Sequence, residues 1–563
     1  MLVLAISVLF ILYLFIQPLV VYLIDPKGLR QFPSPSVAGL TSFWRIFHSL
    51  QYKHYQAIHD AHVKLGTHVR IAPNHISISD PAAMNDIYGH GAGLLKDSWY
   101  DGGAGEFRHM ADARIKTEHQ AKRKKLAHVF AQKNIESLEP VILDATATLV
   151  SQIDKHIAQS KAINIRRYLN YYTIDLFAEL LYGRSLGCLE RGDDIVEAQT
   201  KDAKVYKAHM IRSLHDATHM NTILGYEAHL LPLTKTLFAR HPYMKAGANW
   251  DNIIYHNTTK RLQDAESGEE KKDLFSNLLR NNKGESLDLP MGEILAECSV
   301  MMNAGTDTTT AALTNTIFLL YKHPRVLAKL RQELDSAIGS SADVPNYASV
   351  SSLPYLRACI EESLRIRPAS SYGLPRVVPD GGRVIAGQYI REGVTVSVPT
   401  YTLLRNIDCF KDAESFNPDR WIESDKATRD RMNTAHFPFS VGPRACIGRN
   451  IAYFEQLIPI AEPLRKLGQV GRLHQPPRLG RLPQALRLGQ LPAAARRADY
   501  EPQHGKWRRR RLFNDVGNSD GRVPGLADEQ RDAGQCRRAA HQGAQCFAEK
   551  GEGHENEGEN LEY

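Results

Sequence analysis

Cysteine is scarce in this chain, seven in 563 residues, and no two form a C-x-x-C pair. Cys188, Cys298, Cys359, Cys409, Cys446, Cys536 and Cys546 are odd in number and widely scattered, which excludes a small disulfide-stapled scaffold and points to reduced thiols facing the cytosol. An excess of one charge is also lacking. A net charge of +8 is mild at this length, and no basic or aromatic spacing of a nucleic-acid module occurs, so no nucleic acid is expected as a partner. No internal repeat is visible. From Met1 to Ile24 there is no charged residue, and beyond Ile460 there is no Ile, Met or Thr.

What is present is the composition of a globular chain, 43% hydrophobic and 23% charged, long enough for a few modules or one large domain. The uncharged Leu-, Val-, Ile- and Phe-rich start meets the length of about 20 apolar residues that spans a bilayer. A cleaved signal peptide is the alternative, but the basic leader and small-x-small cleavage site it needs are not evident. Lys27 and Arg30 follow the span and nothing positive precedes it, which leaves the amino terminus lumenal and the body cytosolic. Phe32-Pro33-Ser34-Pro35-Ser36 is too proline-rich to continue a helix and reads as a stiff hinge. This divides the chain into an anchor (1–24), a hinge (25–39), a body (40–460) and an atypical tail (461–563), expected to be disordered. Within the tail, Arg508–Arg511 reads either as a nucleic-acid or targeting patch or as a solvated run of like charge, the commoner case.

The body reads as mainly α with small β sheets. Helical periodicity covers about 50–65, 135–157, 172–182, 291–322 and 353–366, with a β hairpin over 69–78 and a second β region over 383–399. Few other strands are expected.

The most informative stretch is Phe437-Pro438-Phe439-Ser440-Val441-Gly442-Pro443-Arg444-Ala445-Cys446-Ile447-Gly448-Arg449-Asn450, which runs into a helical segment. A cysteine just before a helix amino terminus has amide donors and a favourable dipole for a thiolate. Glycines at 442 and 448 permit tight turns and close backbone approach, and Arg444 can pair with a carboxylate. Phe439-x-x-Gly442-x-Arg444-x-Cys446-x-Gly448 resembles the haem-binding loop of the cytochrome P450 family.

Three upstream motifs add to the resemblance. Ala304-Gly305-Thr306-Asp307-Thr308-Thr309 is similar to the family's oxygen-binding helix, with Asp307 and Thr308 as its acid and alcohol and Gly305 giving a ligand access to the backbone. Glu362-x-x-Arg365 and the Arg420 of Phe416-Asn417-Pro418-Asp419-Arg420-Trp421 are similar to the family's buried structural network. His119-x-x-x-Arg123 and Arg376 match positions that contact the haem carboxylates; for these, solvent-facing charge is the competing reading. Lys122, Lys124 and Lys125 would form a basic surface for an acidic reductase.

Over about residues 30–460, the resemblance implies the cytochrome P450 fold behind one transmembrane helix. It implies heme b on the Cys446 thiolate and insertion of one oxygen atom of O2 into a small organic substrate. It further implies electrons from NADPH through NADPH-cytochrome P450 reductase, with cytochrome b5 as a candidate second donor, at the endoplasmic reticulum membrane. Val69–Ser77, Tyr88-Gly89-His90-Gly91 and Gly373–Pro379 resemble the fungal benzoate 4-monooxygenase group, whose neighbours act on secondary metabolites. Isomerisation of peroxides without a reductase is disfavoured by the intact Asp307-Thr308 pair. One departure stands out. Pro459 and Pro463 are expected to interrupt the helix after the cysteine, and an Arg-, Gly- and Pro-rich tail stands where the family has pocket-lining strands, as after frame loss or a retained intron. The alternative is therefore a catalytically impaired, monooxygenase-like product.

Overall fold

The computed structural model describes residues 16–473, except 270, 272, 282 and 339–344. The first fifteen residues of the expected anchor and the tail from residue 474 lie outside the described residues. Residues 16–24 are helical, and Leu19, Val20, Leu23 and Ile24 are exposed. Among the described residues, no helix is long and apolar enough to cross a membrane.

Seven helices matter for the site: α1 (Phe43–Leu50), α2 (Lys116–Leu126), α3 (Ile165–Tyr182), α4 (Met210–Gly225), α5 (Met291–Lys322), α6 (Pro354–Ile366) and α7 (Arg449–Leu473). Helix α3 begins at Asn164, whose side chain accepts from the Arg167 N–H, and ends at Gly183 in the left-handed conformation. An unbroken buried run from Tyr171 to Ala178 marks it as a central helix, and α5 and α7 contribute to the same apolar core. Helix α5 spans the range read from its periodicity.

Nine short strands are present among the described residues: β1 (His68–Ala72), β2 (His75–Ile78), β3 (Leu95–Lys96), β4 (Ile195–Gln199), β5 (Val205–His209), β6 (Arg376–Val377), β7 (Arg383–Ile385), β8 (Gln388–Ile390) and β9 (Thr395–Ser397). The main sheet has the order β1-β2-β9-β6-β3. β1 and β2 form the expected hairpin, with a bulge between Arg70 and Ala72. The β4–β5 hairpin was not expected, although β4 alternates exposed and buried positions as a half-buried strand should. The proline-rich segment is docked on the sheet: Arg70 N–H donates to the Pro33 carbonyl at 2.8 Å, and Leu29 and Phe32 are buried.

Helix α7 corrects the expected interruption. It continues through Pro459 and past position 463 to Leu473. Leu457, Ile458, Ile460 and Ala461 are fully buried around Pro459. Their packing outweighs the roughly 3 kcal/mol that an interior proline costs.

Candidate active site

The cysteine loop leads directly into α7. Cys446 N–H donates to the Phe439 carbonyl at 2.9 Å, and Phe439 packs on Tyr453 with ring centroids 5.0 Å apart. Gly442 has φ 73°, and a Cβ there would lie 2.0 Å from the Tyr88 carbonyl oxygen, so only glycine fits this turn. At Gly448 an added Cβ would make ordinary contacts with Ile451 and Cys446, so among the described residues nothing requires glycine there. Cys446 is exposed. Desolvation by the protein around it nonetheless pushes its thiol up, opposed by the Gly448 N–H, Arg123 and Arg449.

Beside the loop is a concentration of positive charge. Lys96 and Arg376 are cross-strand partners in the β3–β6 pair, 6% and 3% exposed respectively, so two like charges face each other in the interior. Such a pair is unfavourable without an anion between or beside its members. Arg376 donates to the Tyr100 hydroxyl and the Pro375 carbonyl, each at 3.0 Å. Arg444 donates to the carbonyls of Ala113 and Arg114 at 2.6 and 3.0 Å, and Arg123 to that of Ala445 at 2.8 Å. Burial, then Arg444, Lys96, Arg123 and Arg376, hold His119 neutral with a pKa lowered to about 3. Arg444 is brought down to about 10 by burial and Arg376. Burial pushes the Lys96 ammonium well down, with Arg376 and Arg444 adding to it and the nearby Asp112 opposing, and its Nζ donates to the Ala111 carbonyl. The structure thus brings His119, Arg123, Arg376 and Arg444 near one another and adds Lys96, which was not legible in the sequence because a two-residue strand has no readable period.

Helix α5 exposes Ala304, Asp307 and Thr308. Thr308 donates its hydroxyl to the Ala304 carbonyl at 2.7 Å, one turn back. Asp307 pairs with His215 of α4 at 2.9 Å. Gly305 corrects an expectation: its Cβ direction meets the Phe177 ring of α3 at 2.1 Å, so this glycine serves helix–helix approach rather than ligand access. Thr309 donates to Glu455 of α7 at 3.1 Å, a carboxyl that complete burial pushes up to about 8.

The Glu362 network is assembled as expected. Arg365 and Arg420 donate to Glu362 at 2.8 to 3.0 Å, and Asn417 N–H and the Trp421 indole add bonds of 2.9 Å. Arg365 also satisfies the carbonyls of Leu404, Ala413 and Ser415. Burial drives the Glu362 pKa upward, but the two arginines and the Asn417 N–H outweigh it and leave the carboxyl low. The expected basic surface is corrected in part. Lys122 is buried and pairs with Glu293 and Glu297 at 3.2 and 3.4 Å, Lys125 pairs with Glu293 at 3.6 Å, and Lys124 alone of the three is exposed.

Comparison with known proteins agrees with this geometry: the family model described as cytochrome P450 matches residues 37–467. The chain belongs to the cytochrome P450 family. Benzoate 4-monooxygenase bphA of Aspergillus niger is 32% identical over 465 residues, covering 79% of this chain and 89% of that protein. Cytochrome P450 monooxygenase aba2 of Botryotinia fuckeliana is 30% identical, covering 76% and 80%, and monooxygenase tpeC of Talaromyces stipitatus is 32% identical, covering 77% and 83%. This P450 is an oxidoreductase of the monooxygenase type.

The residues fit the cofactor that the family implies. Five buried or half-buried basic side chains (Lys96, His119, Arg123, Arg376 and Arg444) suit the two carboxylates of a haem. An accessible cysteine on a glycine-shaped loop suits its iron, which would hold the sulfur as thiolate.

Proposed function

We propose that this P450 inserts one oxygen atom of O2 into a small aromatic acid or a related secondary metabolite, drawing electrons from NADPH through a separate flavoprotein reductase. The observation that carries the reading is the joint presence of Cys446, exposed on its loop, the exposed Asp307 and Thr308 of α5, and the basic cluster beside the loop. Bound haem supplies dioxygen activation, which a thiolate ligand favours by pushing electron density toward the iron. Lys96, Arg376 and Arg444 would hold the cofactor by its carboxylates, and the exposed Thr308 hydroxyl and Asp307 carboxylate would hold and pass protons. The aromatic-acid assignment is supported by similarity to benzoate 4-monooxygenase.

Attachment to the endoplasmic reticulum membrane belongs to the same proposal. Besides the uncharged amino-terminal run, Phe43, Phe47 and Leu50 are exposed on the amphipathic α1. Exposed Lys124 and Arg449 offer positive charge to a reductase, with cytochrome b5 a second candidate donor. The composition of 461–563 favours one other reading, an impaired protein without family-like pocket strands.

Titration of the ferric protein with benzoate tests the substrate assignment. A saturable low-to-high-spin shift, followed by reductase- and NADPH-dependent hydroxylated product, is expected. A haem-loaded protein that neither shifts nor turns over with aromatic acids overturns the substrate class, and one that fails to load haem supports the impaired reading.

A further inference from the structure

Asp307 is not alone on its helix face. His215 reaches it from α4, Nε2 to Oδ1 at 2.9 Å, and both side chains are partly open, 38% and 50% exposed. Arg166 also acts on Asp307, and Arg212 and Asp216 pair with each other on α4 at 3.4 Å. Burial works to raise the Asp307 pKa, but the His215 bond and charge, with Arg166, hold the carboxyl below its usual value. A carboxylate kept ionised is poorly supplied with protons unless its partner can deliver one. Lysine or arginine there would neutralise Asp307 without readily giving up a proton, whereas an imidazole accepts at one ring nitrogen and donates at the other.

We propose that His215 is the outer member of the proton relay, passing protons from water to Asp307 and thence toward Thr308. The ring takes a proton from water at Nδ1 and releases the one on Nε2 to Asp307 Oδ1. Asp307 then releases a proton inward, and exchange with solvent restores the Nε2–H tautomer. Each cycle moves one proton from bulk water to the oxygen side of α5, and no electron moves between the two residues. The proposal rests on the monooxygenase reading but not on the choice of substrate. His215 thereby couples α4 to proton supply.

The test compares two ways of driving the haem-loaded protein. Oxidation driven by NADPH, reductase and O2 needs protons delivered to bound dioxygen, whereas cumene hydroperoxide brings an oxygen–oxygen bond already protonated or alkylated. His215→Phe is expected to slow the NADPH-driven rate at least fivefold and enlarge its solvent deuterium isotope effect. The peroxide-driven oxidation of guaiacol should stay within twofold of the parent. His215→Lys, which retains a cation, should not restore the rate. In a readout without turnover, the ring-nitrogen resonances of His215 in 15N-histidine-labelled protein should move on Asp307→Asn. A parallel loss of both activities in His215→Phe, or an unchanged isotope effect, would identify the contact as a structural tie and overturn the proposal. Loss of haem spectrum in the parent itself would instead count against the monooxygenase reading.

Discussion

Lys96 and Arg376 stand opposite each other as buried like charges, and their placement separates the needs of the folded chain from those of the cofactor. Removing one charge should help the haem-free protein and harm the loaded one. Lys96→Met is expected to raise the denaturation midpoint of apoprotein while increasing haem loss to apomyoglobin severalfold; a variant that weakens both states equally would contradict an anion-holding role. Glu362 has the opposite character, since its carboxylate is the shared acceptor for Arg365 and Arg420. Glu362→Gln should cost about 3 to 5 kcal/mol in unfolding experiments, because two buried guanidinium groups lose their counter-charge. The two buried acids of this region also differ in pH response. Glu362 has its pKa lowered, so its contribution is present above the unfolded carboxylate range and is lost as pH falls through its folded value. Glu455 is raised to about 8, so the native state keeps a proton that the unfolded chain releases, and stability falls as pH climbs from the ordinary carboxylate range to about 8. Urea midpoints at pH 5 and pH 8 should show that fall in the parent and a smaller one in Glu455→Gln. Equal falls would place the titration elsewhere.

At the scale of elements, α5 meets α3 through Gly305 and Phe177, and α7 through Thr309 and Glu455. Gly305→Ala should destabilise by about 1 to 3 kcal/mol through overpacking, and Phe177→Leu should recover much of that in the double variant. Additive losses would show that the ring is not what the new methyl meets. Long periodic helices such as α5 were legible in sequence because apolar positions recur along one stripe. The contacts between them were less so: a glycine within Ala304-Gly305-Thr306 suggests access for a ligand until its Cβ direction is known. Pro459 shows the same limit, since local propensity ends a helix that buried neighbours on both sides sustain.

Across the whole molecule, the loop of Cys446, the Glu362 network and most of the basic cluster were readable because their residues resemble motifs of the cytochrome P450 family, whereas spacing alone would not have distinguished the charged residues from solvent-facing ones. Lys96 and His215 were not readable. One lies in a two-residue strand and the other is a single histidine among 23, and only the tertiary fold brings them to Arg376 and Asp307. These separate segments would together seat on Cys446 the haem that the family implies. A carbon monoxide difference spectrum of the reduced full-length protein tests it most directly. The red-shifted Soret band diagnostic of thiolate-ligated haem is expected, and its loss in Cys446→Ser. No bound haem, or an unshifted band that is the same in parent and variant, would contradict it.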